Sequence, residues 1–105
     1  MTTIKLYIGL NDKDTHKQRH SNIIFKDIIY ECLFDYDYNA FSCQLIDGVY
    51  RHTDGTVVSE NTFVITLCDN VIDYYKLQNL INTLKNELNQ ECIMVEQYYS
   101  NISFM

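Results

Sequence analysis

The apolar residues of this chain change their spacing in a fixed order, and that order leaves few folds open. Ile4, Leu6 and Ile8 alternate with Lys5, Tyr7 and Gly9, the period of a half-buried strand, and predict a first strand over Ile4–Leu10. Ile24, Ile28, Cys32 and Phe25, Ile29, Leu33 then recur at helical spacing, with Lys26, Asp27 and Glu31 on the other side. Ser21 is placed to cap that helix, expected over 21–34, while the capping-box spacing of Thr15 and Gln18 offers an earlier start. Phe41, Cys43 and Leu45 return to a period of two, and the phase change beyond Asp47-Gly48 to Val49 or Tyr50 predicts a bulge near Gly48. Thr53-Asp54-Gly55 supplies hairpin turn chemistry. The strand after it, Val57–Leu67, sets Phe63, Ile65 and Leu67 against Thr62, Val64 and Thr66 on the other face. A second helix over 70–88, capped by Asp69 or Asn70, carries Tyr74, Leu77, Leu80, Ile81, Leu84 and Leu88 as its stripe. Asn89 can end it in a left-handed conformation, and Cys92–Tyr98 reads as the last strand.

Strand, helix, strand, strand, helix, strand is the order of the α+β, ferredoxin-like βαββαβ sandwich, in which two helices cover one face of a four-stranded antiparallel sheet. Right-handed crossovers make 4-1-3-2 the natural strand order. In that topology the loop after the first strand, the tip of the central hairpin and the turn before the last strand share one end of the sheet. The polar stretches Lys13–His20, Arg51–Gly55 and Asn89–Glu91 fall on those turns. They define a candidate edge for ligand or partner binding made of Lys13, His16, Lys17, Arg19, His20, Arg51, His52, Asn89, Gln90 and Glu91. A second candidate surface is the sheet face away from the helices, where Tyr7, Val64, Met94 and Tyr98 project. An open apolar face of that kind calls for cover, from a homodimer partner, another protein or the chain's own Tyr99–Met105 tail.

At 105 residues, 47% hydrophobic, the chain suits a single domain over residues 1–105 with a real core. Its start lacks a basic segment followed by a long apolar run, and its apolar runs are far short of a membrane span. A cytoplasmic protein with no membrane association is the expectation. Cys32, Cys43, Cys68 and Cys92 stand singly, without a C-x-x-C pair or clustered histidines, and are expected as buried free thiols with no metal site. A net charge of −6 disfavours direct nucleic-acid binding, which depends on cations neutralising phosphates. Positive charge concentrates instead in the loop of Lys13, Lys17 and Arg19. Many Asn, Ile, Tyr and Lys residues with no Pro point to an AT-rich genome, bacterial or phage.

Over nearly its whole length the chain resembles a family of small bacterial and phage proteins catalogued only as a domain of unknown function. Tyr7-Ile8-Gly9-Leu10, Gly48-Val49-Tyr50 with Gly55 and Glu60, and Asn89-Gln90-Glu91 carry the resemblance. It implies a ferredoxin-like domain and no particular reaction. His16, His20, His52, Tyr50, Asp54, Glu60 and Glu91 are the groups able to assemble into acid–base chemistry at the shared edge. Asp54 reads more simply as a turn residue. The Asn11–His20 loop has no glycine with which to cradle a phosphate, which disfavours the small phosphatases of this topology. The RNA-recognition modules of this fold stack bases on paired strand aromatics, but Thr62, Val64 and Thr66 supply no aromatic beside Tyr7.

The leading expectation is therefore a small acidic, non-enzymatic interaction module from a phage or mobile element. It would inhibit a host protein such as a defence nuclease, a CRISPR effector included, by steering its acidic surface into a basic cleft. No catalytic residue, metal or cofactor is assigned. The alternative is an anion- or nucleotide-binding domain using the polar edge, and a third reading is an enzyme working there.

Overall fold

Strand β1 (Thr2–Gly9) is the centre of the molecule because its alternation gives it one face to bury and its backbone has a partner on both sides. The computed structural model describes residues 1–105 and continues with α1 (Asn22–Asp35), β2 (Ser42–Arg51), β3 (Val57–Asp69), α2 (Tyr74–Glu87) and β4 (Met94–Tyr99). β1 pairs antiparallel with β3, Ile4 opposite Leu67 and Gly9 opposite Thr62, and with β4, Tyr7 opposite Met94. The sheet order β2-β3-β1-β4 is the 4-1-3-2 arrangement of the ferredoxin-like fold. Ile4, Leu6, Ile8 and Leu10 meet Phe63, Ile65 and Leu67, and both helices close over them with Phe25, Ile29, Leu33, Leu77, Leu80 and Leu84.

The helix ends follow local chemistry. Ser21 Oγ accepts from the Ile24 amide at 3.3 Å and starts α1. The earlier start at Thr15 does not occur, because Gln18 is occupied bridging Asn61 and Asn22. The cap of α2 is Asp73, which accepts from Lys76 N at 3.0 Å, instead of Asp69 or Asn70. Asn89 takes φ 48° as expected, and the Gln90 amide reaches back to the Lys85 carbonyl at 2.9 Å, a Schellman ending.

The bulge expected near Gly48 is absent. Pairing runs without interruption from Ser42 opposite Thr66 to Arg51 opposite Val57. The apparent phase change arises because this hairpin runs past the helices: Val49 and Val57 keep the core-side phase but find no core, and are 67% and 63% exposed. The molecule is accordingly long, 46 Å against 26 and 25 Å in its other dimensions. Two further expectations need correction. Cys32 is buried, but Cys68 and Cys92 are exposed, although all four thiols are free. On the sheet face opposite the helices Val64 is buried within the single chain, whereas Met94 and Tyr98 stay 60% and 42% exposed. The tail does not provide that cover, because Phe104 and Met105 remain in solvent. No helix is long and apolar enough to cross a membrane.

One carboxylate organises the end of the sheet where the turns meet. Asp12, 3% exposed, accepts on Oδ1 from the amides of Asp14 at 2.9 Å and Thr15 at 3.0 Å. On Oδ2 it takes the Asn89 side-chain amide at 2.7 Å and Arg19 Nε at 2.9 Å. Asn89 also donates to Asp14, and its carbonyl accepts from Lys13 N at 3.0 Å. The first loop is thus tied to the turn after α2. The Asn89 amide above all, then the Thr15 and Asp14 amides and the Arg19 charge, hold the Asp12 carboxyl at about 2 against the opposing effect of burial.

Two outcomes follow from these contacts. Leu80, with no exposed surface, should cost roughly 2–5 kcal/mol when truncated in Leu80→Ala, read by denaturant titration. Because its pKa is lowered in the folded state, Asp12 contributes stability that is complete above the unfolded value of about 4. That contribution is lost as pH falls through the folded value of about 2. Protection of the amides of residues 11–19, taken relative to their intrinsic exchange rate at each pH, should therefore fall across that acid window in the parent, whereas Asp12→Asn should show the lower protection already at neutral pH and little further loss in acid.

Candidate functional site

The site grows from a single close approach on the sheet face away from the helices. Glu60 stands opposite Gly48 in the β2–β3 ladder, and its side chain reaches diagonally over Gly9 of β1. A Cβ at Gly9 would lie 2.7 Å from Glu60 Oε2, so this position has to be a glycine for the carboxylate to lie where it does. Oε2 accepts from the Asn11 amide at 3.0 Å. Glu60 has no cationic partner, since the chain's one ion pair is Arg19 with Asp12. A half-buried carboxylate held by one backbone N–H and left without a counter-charge is poised to receive a cation.

Two cavities meet over that carboxylate and share Tyr50, Gln90 and Cys92 as walls. One, of about 490 Å³, runs along the sheet between Tyr7, Ile46, Val49 and Met94. The other, of about 380 Å³, opens towards the polar edge at Lys13, His16, His52 and Glu91. Each is in the size range of small-molecule sites. The first offers aromatic and thioether surface, and the second offers charge and hydrogen bonds. The Tyr50 ring is braced edge-on by His52, 5.1 Å between centroids. A further cavity of about 280 Å³ lies at the opposite end of β1, by Ile4, Leu67 and Tyr38. Its one cation, Lys76, is already engaged over the Tyr38 ring at 4.2 Å.

The residues expected at the polar edge divide into two groups. Lys13, His16, His52, Gln90 and Glu91 line the edge-side cavity. Arg19 is consumed by Asp12, His20 packs edge-on against Phe25, and Asn89 is the latch between loop and turn. Lys17 lines neither cavity, and Arg51 falls on the other face of β2 from Tyr50. Of the sheet-face residues, Tyr7 and Met94 line the sheet-side cavity, whereas Val64 is buried beneath the face and Tyr98 lies further along β4. Asp54 does serve the turn, accepting from Thr56 N at 2.9 Å, a bond that lowers its pKa. Gly9, Asn11 and Gly48 were not among the candidate site residues. Gly9 and Gly48 stand in the stretches that carry the family resemblance, beside Tyr50 and Glu60, and that was the signal available for them.

Comparison with known proteins changes the functional picture. The model of the S-adenosylmethionine lyase family matches residues 8–105. Among solved structures, the chain is similar to a phage SAM lyase in complex with S-methyl-5'-thioadenosine (TM-score 0.67, 21% identity, 92% of this chain and 79% of that one). It is also similar to a phage SAM lyase in the apo state (TM-score 0.68, 21% identity, 92% and 78%). At that identity the structural likeness speaks for the fold. No curated protein matches the chain. The family match overturns the expectation of a non-enzymatic module that blocks a host nuclease, and with it a host protein as the defining partner: the family is named for an enzyme acting on a small molecule. The match is compatible with the resemblance to a small family and gives that family a name and an activity. With its model matched from the end of β1 to the last residue, the chain belongs to the S-adenosylmethionine lyase family.

Proposed function

We propose that this protein is a lyase that cleaves S-adenosylmethionine and releases S-methyl-5'-thioadenosine, with Glu60 as the anionic anchor of the substrate. The observation that carries the reading is the Glu60 carboxylate, unpaired in the protein and shared by two adjoining cavities. S-Adenosylmethionine is a nucleoside that bears a sulfonium cation and an ammonium group. An acidic protein with an unpaired carboxylate suits such a ligand better than the anion of the earlier alternative. The aromatic and thioether surface of Tyr7, Tyr50 and Met94 suits the flat adenosine part.

In the proposed reaction the bond between sulfur and the carbon of the four-carbon amino acid chain breaks. The electron pair stays on sulfur, which becomes a neutral thioether. Because a lyase adds no water, that carbon completes its valence within the same fragment: it bonds the fragment's own carboxylate oxygen and closes a ring, or the neighbouring carbon gives up a proton and a double bond forms. Positive charge on sulfur is therefore lost as the bond breaks, so a carboxylate that paired with it tightly would favour substrate over transition state. The contribution assigned to Glu60 is accordingly binding and orientation of a cationic group, and that of the cleft walls is to keep water from the reacting carbon. The anti-defence reading then takes a different chemical form. In an infected cell the protein would act by removing a methyl donor, not by occupying a protein surface.

The test is formation of S-methyl-5'-thioadenosine from S-adenosylmethionine by the purified chain, followed chromatographically. Its absence would overturn the reading. Glu60→Gln keeps the shape and removes the charge. It should weaken S-adenosylmethionine binding on the order of 10- to 100-fold, the worth of one charge-assisted contact, while binding of the neutral thioether, which lacks both cations, stays nearly unchanged. Gly9→Ala should reproduce this selective loss without unfolding the chain, because the added methyl meets the movable end of the Glu60 side chain. Calorimetric titration of both ligands into both variants measures the difference.

A further inference from the structure

Position 90 carries an unexpected residue for its place in the fold. In a Schellman ending the residue after the left-handed one commonly packs an apolar side chain back on the last turn. Here that residue is Gln90, 8% exposed. Its Nε2 lies 2.6 Å from the Asn11 carbonyl oxygen and 3.4 Å from that of Leu88. Two carbonyl oxygens around one amide atom identify that atom as the nitrogen. Burying an amide costs free energy unless it is bonded, and a leucine would fill the same place without that requirement.

What the amide accomplishes is visible at Asn11. Gln90 holds the Asn11 carbonyl on one side of its Cα, and on the other side the Asn11 N–H donates to Glu60 Oε2 at 3.0 Å. The flanking amides are fixed as well, Leu10 N to the Asn61 carbonyl at 3.0 Å and Asp12 N to the Lys17 carbonyl at 2.9 Å. The Asn11 N–H lies in the peptide plane shared with Leu10 and its carbonyl in the plane shared with Asp12, so the two hydrogen bonds together fix the φ and ψ at which these planes meet.

We infer that Gln90 is a positioning residue: its side-chain amide sets the Asn11 backbone and, through it, the placement of the Glu60 carboxylate in the cleft. The catalytic consequence rests on the lyase reading, whereas the positional link does not, so each can fail separately.

The positional link is read from the Asn11 amide resonance of the full chain. Glu60→Gln should displace that resonance in the parent and leave it nearly unmoved in a Gln90→Leu background. Equal displacement in both backgrounds would overturn the inference. Should Gln90→Leu fail to fold, the near-isosteric Gln90→Glu replaces it at about pH 8, where a carboxylate has no proton to donate. The catalytic consequence is read from kcat and KM for S-methyl-5'-thioadenosine formation. Gln90→Glu should raise KM by up to about 10- to 100-fold at that pH, the loss expected when the Glu60 anchor itself is neutralised, with kcat changed less. Its activity should recover towards about pH 5 as a protonated carboxyl regains a donor for the Asn11 carbonyl. A loss that is the same at every pH, or no loss at all, argues against positioning by that hydrogen bond. If the parent itself forms no S-methyl-5'-thioadenosine, the lyase reading falls and the resonance comparison alone decides the positional link.

Discussion

The functional end of this protein depends on the Asp12 carboxylate and the donors that converge on it. Two backbone amides of its own loop, the Asn89 side chain and Arg19 all point at one nearly buried group. Without that acceptor the loop after β1 would have polar groups to satisfy and no reason to lie against the turn after α2. With it, Asn11 and Gln90, far apart in sequence, come into hydrogen-bond contact. The Glu60 carboxylate then finds a backbone donor waiting at the end of β1.

Charge is distributed at this end in a way that separates architecture from chemistry. Asp12 is satisfied by protein donors and by Arg19, so it has little left to offer a ligand. Glu60 accepts one backbone hydrogen bond and no cation. Two carboxylates close together thus hold different tasks because of what surrounds them, one closing a loop and the other facing the cavities. The protein's overall acidity, first read as a means of competing for a basic cleft, is equally suited to attracting a cationic small molecule, and the family match favours the second.

Much of the architecture was legible because it rests on periodicity. Leu6, Ile8, Ile65, Leu80 and Leu84 are fully buried, as their spacing requires. The Ser21 cap and the left-handed Asn89 followed from side-chain chemistry within a few residues. The misreadings came where local pattern met a distant cause. Val49 looked out of phase because the hairpin outruns the helices, and a sequence pattern carries no record of where the core stops. Lys17, Arg19 and Arg51 were grouped with the site on charge and turn position alone, yet Arg19 is spent on a buried partner and the other two lie elsewhere.

By itself the sequence determined the element order, the core positions of β1 and β3 and most of those of the two helices, and the end of the sheet at which the polar turns gather, since each follows from spacing along the chain and from the handedness of the crossovers. Only the tertiary structure decided which polar groups remain free for chemistry. Gly9, Asn11, Glu60 and Gln90 belong to separate segments, and whether a carboxylate ends unpaired over a glycine or neutralised by an arginine depends on distances that exist only after those segments are packed together.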